Sequence, residues 1–199
     1  MLSRELEVRG AFAFQPTAYP DERGEFVTAY QRADFVAALG HPLFPVAQAS
    51  QSTSRRGVVR GLHYTPAPPG TAKYVRCVRG RALDLVVDLR LGSPTFRRVD
   101  QVELSGSGHC AVYLPPGVGH AFVALEDDTI ISYLLSEEYE PRNELALSVL
   151  DPELGLPLPR DLEPVLSERD RAAPTFAQAA ERGLLPDHAA CEAVRHAWS

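Results

Sequence analysis

Lysine is nearly absent from this chain, with Lys73 the single one among 20 lysines and arginines. It is ordinarily one of the commonest residues, and a planar guanidinium does not replace a compact ammonium at a tight site. A drift toward arginine that spares one position marks Lys73 as a candidate for chemistry. Cysteine is scarce too. Cys77, Cys110 and Cys191 are an odd number without CxxC spacing, which argues against a disulfide framework or a cysteine zinc site and predicts buried free thiols. Excess positive charge is also missing. The formal net charge is -6, without the basic stripe of a nucleic-acid binder; a small phosphorylated ligand, which needs only a few local arginines, is still allowed. No apolar run reaches membrane-spanning length, and Met1-Leu-Ser-Arg-Glu-Leu-Glu7 places acids where a signal peptide has an apolar stretch. The expectation is a soluble, cytoplasmic protein with no membrane partner. Internal repeats, low-complexity tracts and linkers are absent as well, so residues 1–199 read as one domain, long enough to bury a substantial core.

What the chain has in quantity is short alternating segments. Ala82 to Arg90 places Leu83, Leu85, Val87 and Leu89 on one face and Asp84, Val86 and Asp88 on the other, the two-residue period of a sheet. Similar runs follow at Val99 to Leu104, Cys110 to Leu114, His120 to Leu125 and Thr129 to Leu135, separated by Ser-Gly-Ser-Gly, Pro-Pro-Gly-Val-Gly and Glu-Asp-Asp turns. Such spacing predicts an all-β sandwich or barrel. Helical signals are confined to the flanks: Ala33 to Leu39 before Gly40, Thr175 to Arg182 before Gly183, and Ala189 to Ala197. The proline-rich stretch from Asp151 to Pro164 reads as a surface loop, since too little chain follows it for a second core.

Asp84 and Asp88 alternate with strong strand formers, opposite the leucines. If that face meets solvent, nothing further follows; if it lines the interior, both acids need basic partners, and Asp84 then has a part in placing Lys73 or a histidine. A barrel with interior histidines brings a metal to mind. None of the six histidines forms an HxH pair followed by a nearby glutamate, so only a convergence of His63 and His120 in space would supply one. The residues also offer a base, an acid and a cation. Imidazole titrates near neutrality, which suits His63 to proton abstraction. Tyr133 shares a strand face with Ile131 and Leu135 and presents a phenol, and Lys73 can neutralise charge developing on a carbonyl oxygen. Together they fit deprotonation alpha to a ketone. Each also has a structural reading: a satisfied core histidine, a tyrosine bonded to backbone, a surface lysine.

Six blocks resemble the dTDP-4-keto-6-deoxyhexose epimerases, including the 3,5-epimerases of the rhamnose precursor and the 3- or 5-epimerases of antibiotic sugar pathways. They are Tyr19-Pro-Asp-Glu-Arg-Gly-Glu-Phe26, Gln48-Ala-Ser-Gln-Ser-Thr-Ser-Arg-Arg-Gly-Val-Val-Arg-Gly-Leu-His-Tyr64, Lys73-Tyr, Val86-Val-Asp-Leu-Arg-Leu-Gly-Ser-Pro-Thr-Phe96, Tyr113-Leu-Pro-Pro-Gly-Val-Gly-His-Ala-Phe122 and Ser167-Glu-Arg-Asp-Arg-Ala-Ala-Pro174, in family order over most of the chain. The resemblance implies a cupin-type jelly-roll β-sandwich with a few flanking short helices. It implies a homodimer joined through an N-terminal segment, a C-terminal helical tail, and neither a metal nor an organic cofactor.

By the same resemblance His63 is the general base, Asp170 holds its imidazole, Tyr133 reprotonates the carbon from the opposite face, and Lys73 stabilises the enolate at the C4 oxygen. Gln48, Ser50, Arg60, His120 and Glu144 fall at nucleotide-sugar contacts, and Arg23 and Arg171 near the diphosphate. Tyr19, Phe26 and Tyr139 are candidates for stacking on thymine, and part of the pocket comes from a neighbouring subunit. The chain departs from the family pattern at Ser50, where Asn is usual, at Gln51 in place of His, at Thr28 in place of an acid, and at Tyr139, where many members carry Trp. These changes surround the ligand and spare the His, Lys, Tyr and Asp, so an active epimerase at C3, C5 or both is expected. The alternatives are a metal-dependent cupin dioxygenase or isomerase, and a dTDP-sugar ketoisomerase or binding protein on the same scaffold.

Overall fold

A computed structural model describes residues 1–198. Two antiparallel sheets face each other. In sheet order, the six-stranded one comprises β1 (Leu2–Glu5), β2 (Phe12–Gln15), β10 (Ala111–Leu114), β7 (Lys73–Arg79), β12 (Thr129–Leu135) and β5 (Gln48–Ser54). The five-stranded one comprises β13 (Leu145–Ala146), β6 (Val59–Tyr64), β11 (Val118–Ala124), β8 (Arg81–Asp88) and β9 (Val99–Ser105). A separate hairpin joins β3 (Ala18–Asp21) to β4 (Gly24–Val27), and four short helices trim the sandwich: α1 (Arg32–Leu39), α2 (Glu168–Arg171), α3 (Phe176–Glu181) and α4 (His188–His196). This is the expected cupin-like β-sandwich. The three flanking helices foreseen from sequence are present within a residue or two, and α1 ends on Gly40 in the left-handed conformation at φ 79°. All three cysteines are free, Cys77 and Cys191 buried and Cys110 half-buried.

The core has three layers. Val75, Val86, Phe122 and Ile131 fill the space between the sheets. Phe14, Phe35, Phe44 and Tyr113 pack under α1 on the outer face of the six-stranded sheet. Leu85, Val87, Leu89 and Val123 lie on the outer face of the five-stranded sheet, covered by Phe176, Leu185 and leucines of residues 154–166. The proline-rich stretch is therefore a loop, as expected, but one that buries Leu154 and packs Leu156, Leu158 and Leu162 against the sheet. Burying a leucine is worth about 1.5–3 kcal/mol, so this loop is a structural cover.

The five-stranded sheet is thus covered on both faces, and this decides the fate of the two aspartates in β8. The solvent-facing reading fails for both, which are fully buried. The leucine face turns toward the C-terminal cover and the aspartate face turns inward. Buried carboxylates require partners, and each has them. Asp84 Oδ1 lies 2.6 Å from His120 Nε2. Asp88 accepts two hydrogen bonds at 2.8 Å from the Arg90 guanidinium and one each at 2.6 Å from the Ser93 and Thr95 hydroxyls. Burial raises the Asp88 pKa, but these bonds outweigh it and hold the carboxyl below the usual range. Asp88 and Arg90 form a structural pair; Asp84 belongs to the site.

Candidate active site

Between the sheets opens a cavity of about 550 Å³. Its two walls carry different chemistry. From the five-stranded sheet come Arg60 and His63 on β6 and His120 on β11; from the six-stranded sheet come Lys73 on β7, Tyr133 on β12, and Gln48, Ser50 and Ser52 on β5. Tyr139, Glu144, Arg169 and Asp170 also line it.

A regular strand would point residues 60 and 63 to opposite faces, because alternation has period two. Both line the cavity because the pairing with β11 slips. His120 is opposite His63, and Phe122 is opposite Arg60, so two steps along β11 match three along β6. Such an extra residue re-aims a side chain. Gly61 sits in the slip at φ +131°, where a Cβ would lie 2.6 Å from the His120 carbonyl oxygen. Glycine alone fits there.

His63 Nε2 lies 2.6 Å from Asp170 Oδ1. With Nε2–H directed at the carboxylate, Nδ1 is the nitrogen left with a lone pair. Asp170 comes from 107 residues away along the chain, brought there by a parallel bridge between Val58 and Val165 and by the Ser167 cap, whose hydroxyl accepts from the Asp170 amide at 3.0 Å. Burial raises the Asp170 pKa, yet the bonds from His63 and Ser167 prevail and keep it below the ordinary value.

Lys73 is 8 % exposed. Burial lowers its pKa, while the negative charges of Glu144 and Asp84 oppose the shift. Its Nζ is 3.9 Å from Glu144 Oε1, and the other Glu144 oxygen accepts from Arg169 at 3.0 Å. Arg169 also donates to the Tyr139 hydroxyl at 3.2 Å. Tyr133 stands edge-on to His120, ring centroids 6.5 Å apart; burial pushes its phenol well above the usual tyrosine value, against a hydrogen bond with Ser52 that favours ionisation. Gln48 is committed on both sides, donating to Ser50 Oγ at 2.7 Å and accepting from the Tyr139 amide at 2.7 Å. Arg60 donates to Ser54 Oγ at 3.2 Å.

The structure therefore gathers His63, Asp170, Lys73, Tyr133, Gln48, Ser50, Arg60, His120, Tyr139 and Glu144 around one cavity. It does not bring in Arg23, Tyr19, Phe26 or Arg171. The first three project from the β3–β4 hairpin, where Tyr19 and Phe26 are cross-strand partners, 61 % and 68 % exposed, and Arg23 pairs with Asp21. Arg171 does not line the cavity; it donates at 3.2 Å to the carbonyl of Leu166, which does. Among the polar lining residues that sequence reasoning did not assign to the site are Ser52 and Arg169. Ser52 shares strand parity with Gln48 and Ser50, a signal available beforehand; Arg169 carries none until α2 is placed. Among the described residues no three His, Cys, Asp or Glu side chains form a group able to hold a metal ion, and the two cavity histidines are each turned to a carboxylate of their own.

The fold is thus a cupin-like β-sandwich that sets a histidine–carboxylate pair against a tyrosine and a lysine across one cavity. The model of the dTDP-4-dehydrorhamnose 3,5-epimerase family matches residues 5–178, and the chain belongs to that family. It is 46 % identical over 192 residues to dTDP-4-dehydrorhamnose 3,5-epimerase of Streptomyces griseus, covering 96 % of this chain and 95 % of the relative. Among solved structures it resembles ChmJ, a 3'-monoepimerase from Streptomyces bikiniensis in complex with dTDP-quinovose, at 46 % identity and TM-score 0.91 over 96 % of each chain. It also resembles the rmlC epimerase of Mycobacterium tuberculosis, at 41 % identity and TM-score 0.95 over the full length of both chains.

Proposed function

We propose that this enzyme inverts the configuration at C3, C5 or both of a dTDP-4-keto-6-deoxyhexose in deoxysugar biosynthesis, with His63 as base and Tyr133 as acid. The observation that carries the reading is that these two side chains enter one cavity from opposite sheets. Inversion requires a proton to leave one face of the ring carbon and another to arrive on the opposite face. A single group returning its own proton would only restore the substrate. His63 Nδ1 takes the proton, its tautomer set by Asp170, and electrons pass into the C3–C4 or C5–C4 bond and onto the C4 oxygen. Lys73 meets that oxygen as an ammonium, an interaction worth about 2.7–4 kcal/mol for one well-placed donor. Tyr133 then delivers a proton to the opposite face and the carbonyl re-forms. The side chains present suffice for these steps, and no metal or organic cofactor enters the scheme.

Arg60, His120, Gln48, Ser50 and Glu144 hold the sugar nucleotide, and Tyr139, half-exposed at the cavity mouth, stacks on the base. The exposed Tyr19–Phe26 pair and Arg23 complete the same site of a second copy of the chain, which makes a homodimer the functional unit. Guanidinium forks suit diphosphate oxygens, a role we extend to Arg23 and Arg171. The deciding experiment is incubation with dTDP-4-keto-6-deoxyglucose in D2O. Deuterium at C3 alone, C5 alone or both identifies the carbons inverted, and no exchange at either carbon defeats the reading.

A further inference from the structure

β5 is an edge strand of the six-stranded sheet. Its alternation leaves Ala49, Gln51 and Thr53 exposed and turns Gln48, Ser50 and Ser52 inward. In the β5–β12 register Ser50 is opposite Tyr133 and Ser52 opposite Ile131. This diagonal brings Ser52 Oγ to 3.2 Å from the Tyr133 hydroxyl, which has no other protein hydrogen-bond partner among the described residues. The rest of the phenol's surroundings are poorly suited to a phenolate. Asp84 from β8 and Glu144 beside β13 are negative, the His120 ring from β11 stands edge-on, and of the charges facing it Arg60 on β6 favours ionisation.

We propose that Ser52 is a positioning residue for the epimerisation, aiming the Tyr133 phenol across the cavity and then donating its own hydroxyl hydrogen to the phenolate that remains after proton delivery. The inference rests on the assignment of Tyr133 as the acid. In that step the Tyr133 O–H bond breaks and the enolate electron pair forms the new C–H bond. The C4 carbonyl is restored and the electron pair left behind resides on the phenolate oxygen. Solvent returns a proton to the phenolate, and His63 releases the proton it took, so the cycle is balanced. A serine hydroxyl serves both halves of this step because it accepts from the phenol beforehand and, by rotating, donates to the phenolate afterwards. Hydrogen bonds to charged groups are the stronger class, so the support grows as the proton leaves.

The test compares the wild type with Ser52→Ala, Ser52→Thr and Tyr133→Phe in full-length protein, using dTDP-4-keto-6-deoxyglucose in D2O. Deuterium is followed separately in recovered substrate and in inverted product. Ser52→Ala should slow inversion about tenfold or more, with KM changed less than threefold. Deuterium entry into recovered substrate should persist, so the ratio of exchange to inversion rises by a similar factor; Ser52→Thr should restore most of it. A wild-type ratio in Ser52→Ala, or a parallel loss of exchange and inversion, overturns the proposal. Tyr133→Phe separates this from the underlying reading. If that variant still inverts, the acid assignment falls and Ser52's role with it; if it only exchanges while Ser52→Ala behaves as wild type, the Ser52 proposal alone falls.

Discussion

His63 and Asp170 are joined by a 2.6 Å contact between Nε2 and Oδ1, and that contact fixes which imidazole nitrogen faces the cavity. Asp170→Asn keeps the shape but offers an amide in place of the carboxylate, and so removes the group that stabilises imidazolium. General-base contributions are on the order of 10²–10⁴-fold. We expect kcat to fall by about 10² or more with KM little changed, measured in steady state. A comparable loss in dTDP affinity would assign Asp170 to binding.

Lys73 is buried beside Glu144 and loses its proton more readily than an ordinary lysine. In the proposed mechanism the ammonium is the form that meets enolate charge, so activity should decline on the alkaline side below the usual lysine range. Glu144→Gln removes the nearer negative charge and should move that limb to lower pH. Lys73→Arg keeps the charge but carries a planar fork into a site shaped for a point donor, and a loss of about 10²–10³-fold in kcat is expected. Near-normal turnover in that variant would return the solitary lysine to coincidence.

Asp88 and Asp170 both have pKa values held below the ordinary one. A native state that binds fewer protons than the unfolded chain is stabilised above the unfolded pKa and loses that contribution as pH falls through the native one. Thermal stability should therefore drop progressively below about pH 4. Asp88→Ala leaves the fully buried Arg90 guanidinium without its carboxylate and should cost about 3–5 kcal/mol at neutral pH, read by denaturant melts. A cost under 1 kcal/mol would mean that water reaches Arg90.

Gly61→Ala tests the slipped register. The added methyl would lie 2.6 Å from the His120 carbonyl oxygen in a backbone conformation that L side chains rarely adopt. We expect at least 1–3 kcal/mol, roughly, of destabilisation from strain. Activity at permissive temperature should fall too, because Arg60 and His63 lose their common face. Full activity in a stable Gly61→Ala protein would show that β6 tolerates regular pairing.

Much of this was legible in the sequence, for reasons specific to each element. The alternation in β8 placed Asp84 and Asp88 opposite the leucines, and Thr129 to Leu135 matched β12 residue for residue. Which aspartate face turned inward was not legible, because burial of both faces depends on a C-terminal cover whose leucines lie in an irregular loop. Nor could periodicity unite Arg60 with His63, three apart, or bring Asp170 to His63 across the chain; only the family resemblance joined them. Ser52 was within reach, since its parity with Gln48 and Ser50 is enough to put it on the inward face. Tyr19, Arg23 and Phe26 show the opposite limit. Their hairpin leaves the single-chain cavity entirely, and no reading of one chain's strand pattern reveals where its tip comes to rest.

The placement of His63 and Tyr133 on separate sheets has a consequence for evolution of the enzyme's outcome. In the proposed mechanism the gap between acid and base is set by the thickness of the sandwich, which core residues such as Val75, Val86 and Ile131 determine. On that mechanism, which carbon of the ring lies between the two groups, and from which side a carbanion is quenched, can be retuned by volume changes at positions that do not line the cavity. Stereochemical fidelity in this scaffold is a packing property as much as a property of the reacting groups.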